Sequence, residues 1–211
     1  MTEEEFRDNY YRNVQPHEYV QFLVLMDKIP KYEVELKQQH GIEVVSLSSG
    51  RMKDVDSALK KAGEENIELE NVLDQMHDLA GVRVVVRYLS QVQEFYNCFI
   101  EDKDSGYWSD VSQPTDNIEQ PREDGYRGFH FIVSKDAEID GRNITGRCEV
   151  QIKTLYQHAL SEKTHPLYKF GLLTGELAQR TKSHSDSLHN LENESEFLRD
   201  ENQKVFEGSV A

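Results

Sequence analysis

The chain has 211 residues, with 39 acidic and 24 basic side chains and a net charge of −15. This length suits one sizeable domain, or one domain with a helical addition. The acidity disfavours a surface that holds long duplex DNA or RNA, because such a surface neutralises phosphates with many cations. It does not exclude a small phosphorylated ligand, since a few cations concentrated in one cleft suffice.

The sequence contains no apolar run of about 18 residues, and its first segment is polar and acidic. We therefore expect a soluble, cytoplasmic protein with no signal peptide and no membrane partner. The two cysteines, Cys98 and Cys148, lie far apart and in no metal-binding spacing. We expect both to be reduced, half-buried thiols.

Apolar residues at helical spacing predict several helices before residue 101. They are expected at Glu18 to Lys37 with a break at Pro30, around Val55 to Ala62 with Gly63 as C-cap, from Leu69 to Leu79, and after a capping box of Ser90 and Gln93. From Leu155 onward the sequence is again helical, with a break near Pro166. After Thr181 it predicts either an acidic helix or a partly disordered tail.

Runs of apolar or alternating residues predict the strands. They are expected at 42–47, 82–86, 128–133, 137–140 and 147–154, with an Asp-Gly turn at 140–141 and a loop-rich segment at 101–124. Helices flank these strands throughout, which favours an α+β (mixed α/β) fold with a central mixed sheet of about five strands. We expect residues 1–171 to form the main domain, and residues 172–211 a helical, acidic appendage.

The densest basic stretch is SSGRMKDVDSALKK, which includes Arg51, Lys53, Lys60 and Lys61. Cations and hydroxyl groups before and along a helix are what a polyphosphate needs, together with free N–H groups at the helix start. A solvated helix face is the alternative for this stretch.

Two carboxylates stand beside predicted strands. Asp78 is expected where a helix ends and a strand begins, and Glu149 shares one face of a later strand with Gln151. Brought together across neighbouring strands, the carboxylates would form a magnesium site of the kind that ATP chemistry uses. The alternatives are a surface acid at Asp78 and the solvent side of an edge strand at Glu149.

Five motifs follow one another between about Gln21 and Lys169: GRMKDVDSALKK, HDLAGVRV, REDGYRGFHFIV, CEVQIKT and LYQHALSEKTHPLYK. In this order they resemble the RelA/SpoT-type alarmone synthetase domain, and the chain length resembles a small stand-alone synthetase. The resemblance implies a nucleotidyltransferase-like fold and a GTP/GDP pyrophosphokinase. Such an enzyme transfers the β,γ-pyrophosphate of ATP to the 3′-hydroxyl of GTP or GDP, making pppGpp or ppGpp.

The resemblance also implies the site residues and their ligands. Arg51 and Arg83 would sandwich the adenine of ATP, because a guanidinium plane stacks on a base. By the same resemblance, Lys53, Ser57 and Lys61 would bind the ATP phosphates. Mg²⁺ would be bound by Asp78 and Glu149, and Glu149 would also activate the 3′-hydroxyl. Tyr126 would stack on guanine, with further acceptor contacts from Arg122, His130 and Gln151. Relatives also suggest a homo-oligomer, such as a tetramer.

Several residues depart from the family pattern. Lys153 stands where arginine is commoner, Leu160 where tryptophan is frequent, and Asp124 and Gly128 replace the asparagine and serine of an NGYRSLH form. A further group, His158, Glu162 and His165, shares one helical face, where it could bind a metal or form a hydrogen-bonded face near the site.

Other functions remain open from the sequence. Some relatives are toxins that transfer pyrophosphate to the 3′-end of tRNA, and others make adenosine alarmones. A tRNA acceptor calls for a basic track, to which Lys28, Lys31 and Lys37 could contribute. The remaining alternative is a catalytically silent, nucleotide-sensing module, although neither Asp78 nor Glu149 is lost.

Overall fold

The computed structural model describes residues 1–41, 44–48, 50–139 and 141–210. The helices are α1 Glu3–Asn13, α2 Gln15–Leu23, α3 Ile29–His40, α4 Val55–Glu65, α5 Val72–Gln75, α6 Ser90–Asp104, α7 Leu155–Lys169 and α8 Gly175–Val210. The strands are β1 Ser46–Leu47, β2 Arg51–Met52, β3 Ala80–Val86, β4 Asp110–Val111, β5 Thr115–Asp116, β6 Phe129–Ile139 and β7 Arg142–Thr154.

The central element is β7, which pairs in parallel with β3 and antiparallel with β6. In the described ranges the strand order is β1-β3-β7-β6-β4, while β2 also pairs with β3 and β5 with β6. A five-strand path with two short additions confirms the predicted α+β fold and its mixed sheet of about five strands.

One face of the sheet is covered by α2, α3 and α6. Alternate residues of the three long strands meet these helices in one apolar cluster, which includes Val82, Val84, Val86, Phe129, Phe131, Val133, Cys148, Val150 and Ile152. The helix α2 approaches so closely that a side chain on Gly146 would lie 2.2 Å from the carbonyl oxygen of Pro16. Burial of this face leaves the opposite face free for polar residues.

A second, smaller core joins α1 to α4 and α5. It is made by Phe6, Tyr10, Val14, Ala58, Ala62, Val72, Met76 and Leu79. The Tyr10 hydroxyl donates to the carbonyl oxygen of Lys53 at 2.8 Å, so α1 also supports the loop that carries this lysine.

The helix breaks predicted at Pro30 and near Pro166 are both absent from the described structure. A π-helical turn, Val24–Lys28, connects α2 directly to α3, whose first turn contains Pro30 and needs no N–H group there. Pro166 lies inside α7, which continues to Lys169.

The predicted helix from Leu69 to Leu79 is wrong. A 3₁₀ turn leads into the four-residue α5, and the chain is extended at Met76. The backbone N–H of Lys53 donates to the carbonyl oxygen of Leu79 at 2.7 Å, a sheet-like bond that a continuing helix would not permit. Gly63 is also not a C-cap, since α4 ends at Glu65 and Asn66 adopts the left-handed conformation.

The predicted capping box at Ser90 is wrong as well. Ser90 is the first residue of α6, and its N–H and hydroxyl groups both donate to the carboxylate of Glu196 in α8. A remote side chain thus satisfies the helix start, which a local sequence pattern does not reveal.

The hairpin of β6 and β7 is longer than predicted. Both predicted runs contribute to a single strand, β6, which pairs with β7 from Phe129 to Ile139. In the predicted turn, Asp140 lies outside the described residues and Gly141 has a φ of 73°. In the first predicted strand, 42 and 43 also lie outside the described residues, and only Ser46–Leu47 is a strand. The segment 101–124 contains the end of α6 and the short strands β4 and β5.

The long helix α8 contacts three parts of the main body. Arg199 pairs with Glu94 of α6 at 2.6 Å, and Asp186 pairs with Arg127 at 2.7 Å. Glu192 is only 4% exposed and accepts hydrogen bonds from Thr154 and Gln157 at the start of α7. The division at residue 171 into domain and appendage stays a prediction.

Both cysteines are free thiols, and both are buried rather than half-buried. Burial raises the pKa of Cys98 to about 12, which makes it a poor nucleophile. None of the helices in the described ranges combines the length and the apolar content needed to cross a bilayer.

The close approach of α2 to β7 predicts opposite effects for two glycine substitutions. Gly146→Ala should lower the free energy of unfolding by about 1–3 kcal/mol, because the new methyl group meets Pro16 and Val20. The matched change Gly63→Ala should raise it by up to about 1 kcal/mol, since Gly63 is helical with open space beside it. Urea unfolding measures both, and equal effects would contradict this packing.

The buried carboxyl group of Glu192 predicts a pH-dependent stability. Burial raises its pKa to about 8, only partly offset by the hydrogen bond from Gln157. The folded state therefore favours the neutral form, and stability is lost as the pH rises from about 4.5 to about 8. Glu192→Gln should be more stable than the unmodified protein at pH 8.5 and similar at pH 5. Exposed Glu194→Gln is the control, and identical pH profiles for all three proteins would contradict the assignment.

Candidate functional site

The polar face of the sheet is organised around Glu149. In the strand register Glu149 lies between Gly81 of β3 and Ile132 of β6, and Gln151 lies between Arg83 and His130. Because paired residues share a face, these side chains all project to the side opposite the apolar cluster. Since β7 is central, Glu149 and Gln151 do not mark an edge strand, and that alternative is wrong.

At one end of this face, two lysines converge on Asp78. The Nζ of Lys53 lies 3.0 Å from Oδ2 of Asp78, and the Nζ of Lys61 lies 2.9 Å from Oδ1. Asp78 sits in the turn between α5 and β3 rather than at a helix end. Lys60 does not join this cluster, because it is solvent-exposed and pairs with Glu64.

The start of α4 differs from the expected phosphate-binding turn. Asp54 is the N-cap and accepts from both the N–H and the hydroxyl of Ser57, each at 2.8 Å. Ser57 therefore contacts Asp54, not the cluster of Lys53, Lys61 and Asp78.

Both carboxylates of the site are held in the ionised form. Burial raises the pKa of Asp78, but the hydrogen bonds from Lys61 and Lys53 outweigh it, and the pKa is lowered. Burial likewise raises the pKa of Glu149, while His130 and Gln151 bring it below its usual value. Although Lys61 is near, Oδ1 of Asp78 is buried without a well-aligned hydrogen bond.

A chain of hydrogen bonds connects Glu149 to the loop before β6. Gln151 donates to one carboxylate oxygen at 2.7 Å, and Nδ1 of His130 lies 3.0 Å from the other. The Nε2 of His130 lies 2.6 Å from the Tyr126 hydroxyl. Because an ionised carboxylate only accepts, Nδ1 carries the proton in this arrangement, and a neutral ring then accepts from Tyr126 at Nε2.

The Tyr126 ring is contacted by two cations. The guanidinium carbon of Arg122 lies 4.8 Å from the ring centroid, and the Nζ of Lys153 lies 4.4 Å from it. Arg122 is exposed, whereas Lys153 is 1% exposed. Burial, followed by the charge of Glu149, raises the pKa of the Tyr126 hydroxyl.

The two predicted adenine-binding arginines lie on the same face of neighbouring strands. Arg51 is paired with Gly81, two residues before Arg83. The two arginines are therefore diagonal neighbours, whose Cα atoms are expected to lie roughly 7–8 Å apart. The side chain of Gln21 fixes this pairing by donating to the carbonyl oxygens of Arg51 and Gly81.

Two side chains of helix α7 contact the guanidinium group of Arg83. Its Nη1 lies 2.6 Å from the carboxylate of Glu162 and 3.4 Å from Nδ1 of His158. These contacts of His158 and Glu162 fit the hydrogen-bonded face that was one alternative for the group, whereas His165 is exposed.

Sequence reasoning gave no role to two residues around the site. Arg127 is buried and binds Ser185 and Asp186 of α8, and Lys153 contacts Tyr126. The signals were weak: Arg127 stands beside the tyrosine of its motif, and Lys153 is noted only as a departure from arginine. Their partners lie in segments far away in the sequence.

The family model for the region found in RelA / SpoT proteins matches residues 50–171. The GTP pyrophosphokinase YwaC of Bacillus subtilis is 24% identical over 131 residues, which cover 61% of this chain and 60% of YwaC. The GTP pyrophosphokinase YjbM of Bacillus subtilis is 27% identical over 163 residues, covering 76% of this chain and 75% of YjbM.

Solved structures share the fold. The small alarmone synthetase 1 of Bacillus subtilis, bound to its product pppGpp, has a TM-score of 0.79 at 22% identity, covering 92% of this chain and 98% of that chain. A GTP pyrophosphokinase family protein of Streptococcus pneumoniae has a TM-score of 0.78 at 22% identity, covering 93% and 96%. The nucleotidyltransferase-like fold implied by the motifs is thereby confirmed. Because the family model matches more than half of its residues, the chain belongs to the RelA/SpoT family.

Proposed function

We propose that this protein transfers pyrophosphate from ATP to the 3′-hydroxyl of GDP or GTP and so makes ppGpp or pppGpp. The observation that carries the proposal is the position of Glu149. Its charge acts on Lys61 and Asp78 of the lysine cluster on one side, and on the other it contacts His130, which is bonded to Tyr126. Relatives that carry the name GTP pyrophosphokinase support it.

The two ends of the polar face suit two different nucleotides. At one end, Arg51 and Arg83 would bind adenine while Lys53 and Lys61 neutralise the phosphates of ATP, with Ser57 nearby at the start of α4. At the other end, Tyr126 offers an aromatic face for guanine. Its neighbours Arg122, His130 and Gln151 supply one cation and further hydrogen-bonding groups for the rest of the acceptor.

Glu149 is the proposed general base. The 3′-oxygen of the acceptor forms a bond to the β-phosphorus of ATP, the bond from that phosphorus to the α-phosphate oxygen breaks, and AMP leaves. The hydroxyl proton passes to the carboxylate of Glu149, which its lowered pKa keeps ionised. Positioning and charge neutralisation supply most of the rate enhancement in such transfers.

The donor set fits a magnesium ion. Asp78 and Glu149 are ionised oxygen donors on adjoining segments, and the buried Oδ1 of Asp78 lacks a well-aligned partner. These two carboxylates would hold Mg²⁺ together with phosphate oxygens of ATP. When bound, the ion would neutralise charge that develops on the transferred group.

A tRNA acceptor is less well supported. Of the lysines that could form a basic track, Lys28 pairs with Asp102 at 2.8 Å and Lys31 pairs with Asp27 at 2.5 Å. Assembly into a homo-oligomer such as a tetramer and a cytoplasmic location stay predictions.

The proposal is tested by incubating the purified protein with ATP labelled on the γ-phosphate, Mg²⁺ and, separately, GDP, GTP, an adenine nucleotide alone, or bulk tRNA. Thin-layer chromatography and a denaturing gel locate the label. Label on a guanine nucleotide is the expected result. Label on tRNA alone or on an adenine nucleotide alone would replace the proposed acceptor, and transfer to none would favour a nucleotide-sensing module.

Removal of the proposed base has a defined effect. Glu149→Gln should lower kcat by about 10²–10⁴-fold, because the amide cannot accept the hydroxyl proton. Affinity for GDP, measured by calorimetry, should change little. Glu138→Gln, an exposed glutamate on the same hairpin, is the matched control and should retain full activity. A Glu149→Gln protein with kcat close to that of the control would exclude this role.

A further inference from the structure

Lys153 is a buried cation that the proposed reaction does not use. It lies on the polar face of β7, two residues after Gln151, and is 1% exposed. In the part of the chain that the structure describes, no carboxylate lies within ion-pair distance of its ammonium group. Lysine is rarely buried so completely without a partner, because a desolvated charge is costly.

The contact that Lys153 does make is with the proposed guanine-binding residue. Its Nζ lies 4.4 Å from the centroid of the Tyr126 ring. A cation over an aromatic face is attracted to the ring, and more strongly when the cation is desolvated. Arg122 contacts the same ring but is exposed, so Lys153 is the buried contact of the pair and Arg122 the solvent-facing one.

Gly128 makes this arrangement possible. A Cβ atom at this position would lie 2.9 Å from Nε2 of His130, 3.0 Å from the Tyr126 hydroxyl and 3.2 Å from Cε of Lys153. The three side chains therefore converge beside Gly128, where an added Cβ atom would force them to shift. Lys153 therefore packs against Tyr126 and His130, the two side chains whose hydrogen bonds lead to Glu149.

We propose that Lys153 is a positioning residue of the acceptor subsite, which fixes the Tyr126 ring and makes the subsite select guanine nucleotides by their 5′-phosphate charge. The inference rests on the proposed function, because it takes Tyr126 as the guanine-binding residue. A buried cation without a protein counter-ion favours an anion that enters from outside, and each added phosphate increases that attraction.

The charge environment supports this role. Burial, followed by the positive charge of Arg83, lowers the pKa of Lys153 to about 7. The charged and titratable groups that face it are Arg83 of β3, Glu162 and His158 of α7, Glu149 of β7, His130 of β6, and Tyr126 and Arg122 of the loop before β6. An anionic acceptor would favour the protonated lysine, so binding and protonation should reinforce each other.

The test compares the unmodified protein with Lys153→Met and Lys153→Arg, by calorimetry with GMP, GDP and GTP and by steady-state kinetics. In the unmodified protein, affinity should rise with each phosphate. Lys153→Met should weaken GDP and GTP binding by about tenfold and flatten this gradient, with the KM for ATP within about twofold. Lys153→Arg keeps the charge and should restore the gradient.

Two further readouts separate this role from a purely structural one. GDP affinity of the unmodified protein should fall as the pH rises through about 7, where the lysine loses its proton, relative to Lys153→Arg, whose guanidinium stays charged. The melting temperature of Lys153→Met should be equal or higher, since an unpaired buried charge has been removed.

The outcomes distinguish this inference from the proposed function. Pyrophosphate transfer to GDP with an unchanged phosphate gradient in Lys153→Met would overturn the inference and leave the function intact. A gradient that is lost in Lys153→Met without any transfer activity would support the inference and overturn the function. An equal loss of affinity for GMP, GDP and GTP would assign Lys153 a structural role only and overturn the inference.

Discussion

The register of β7 between β3 and β6 is the constraint on which the rest of the site depends. It places Glu149 between Gly81 and Ile132, so that the glutamate lies between the two ends of the polar face. Burial fixes this register, because Cys148, Val150 and Ile152 occupy the apolar core on the other face. A slip of one residue would exchange the two sets and turn the Glu149 carboxylate into the apolar core. The same apolar contacts that stabilise the fold therefore specify the site.

An acidic chain builds this site by giving its cations different surroundings. Lys53 and Lys61 share Asp78, and Arg83 is held by Glu162, so each is oriented before any ligand arrives. Among the described residues, Lys153 has an aromatic ring as its partner and no ion pair. Paired cations gain orientation, whereas an unpaired one keeps its charge available to an incoming anion. Net charge alone thus says little about which ligands a cleft can take.

Periodic apolar runs were sufficient to predict the mixed sheet and most helices, because burial on one face determines those elements. The errors arose where a distant partner decides the local structure. The start of α6 is satisfied by Glu196, 106 residues away, and the turn before β3 is held by the backbone of Lys53. The site residues came from resemblance to a family, since spacing alone left Asp78 and Glu149 with ordinary alternatives. The surroundings of Lys153 depend on Gly128 and Tyr126, which no local pattern near residue 153 reveals.

The central claim is that one polar face holds two nucleotides at once, on either side of Glu149. It is tested most directly by calorimetry on Glu149→Gln protein with Mg²⁺, titrating GDP in the absence and presence of a saturating non-hydrolysable ATP analogue. The account predicts one GDP bound per chain in both titrations, with GDP binding lost in a Tyr126→Ala background and analogue binding lost in a Lys53→Met background. Competition between GDP and the analogue for a single site would contradict it.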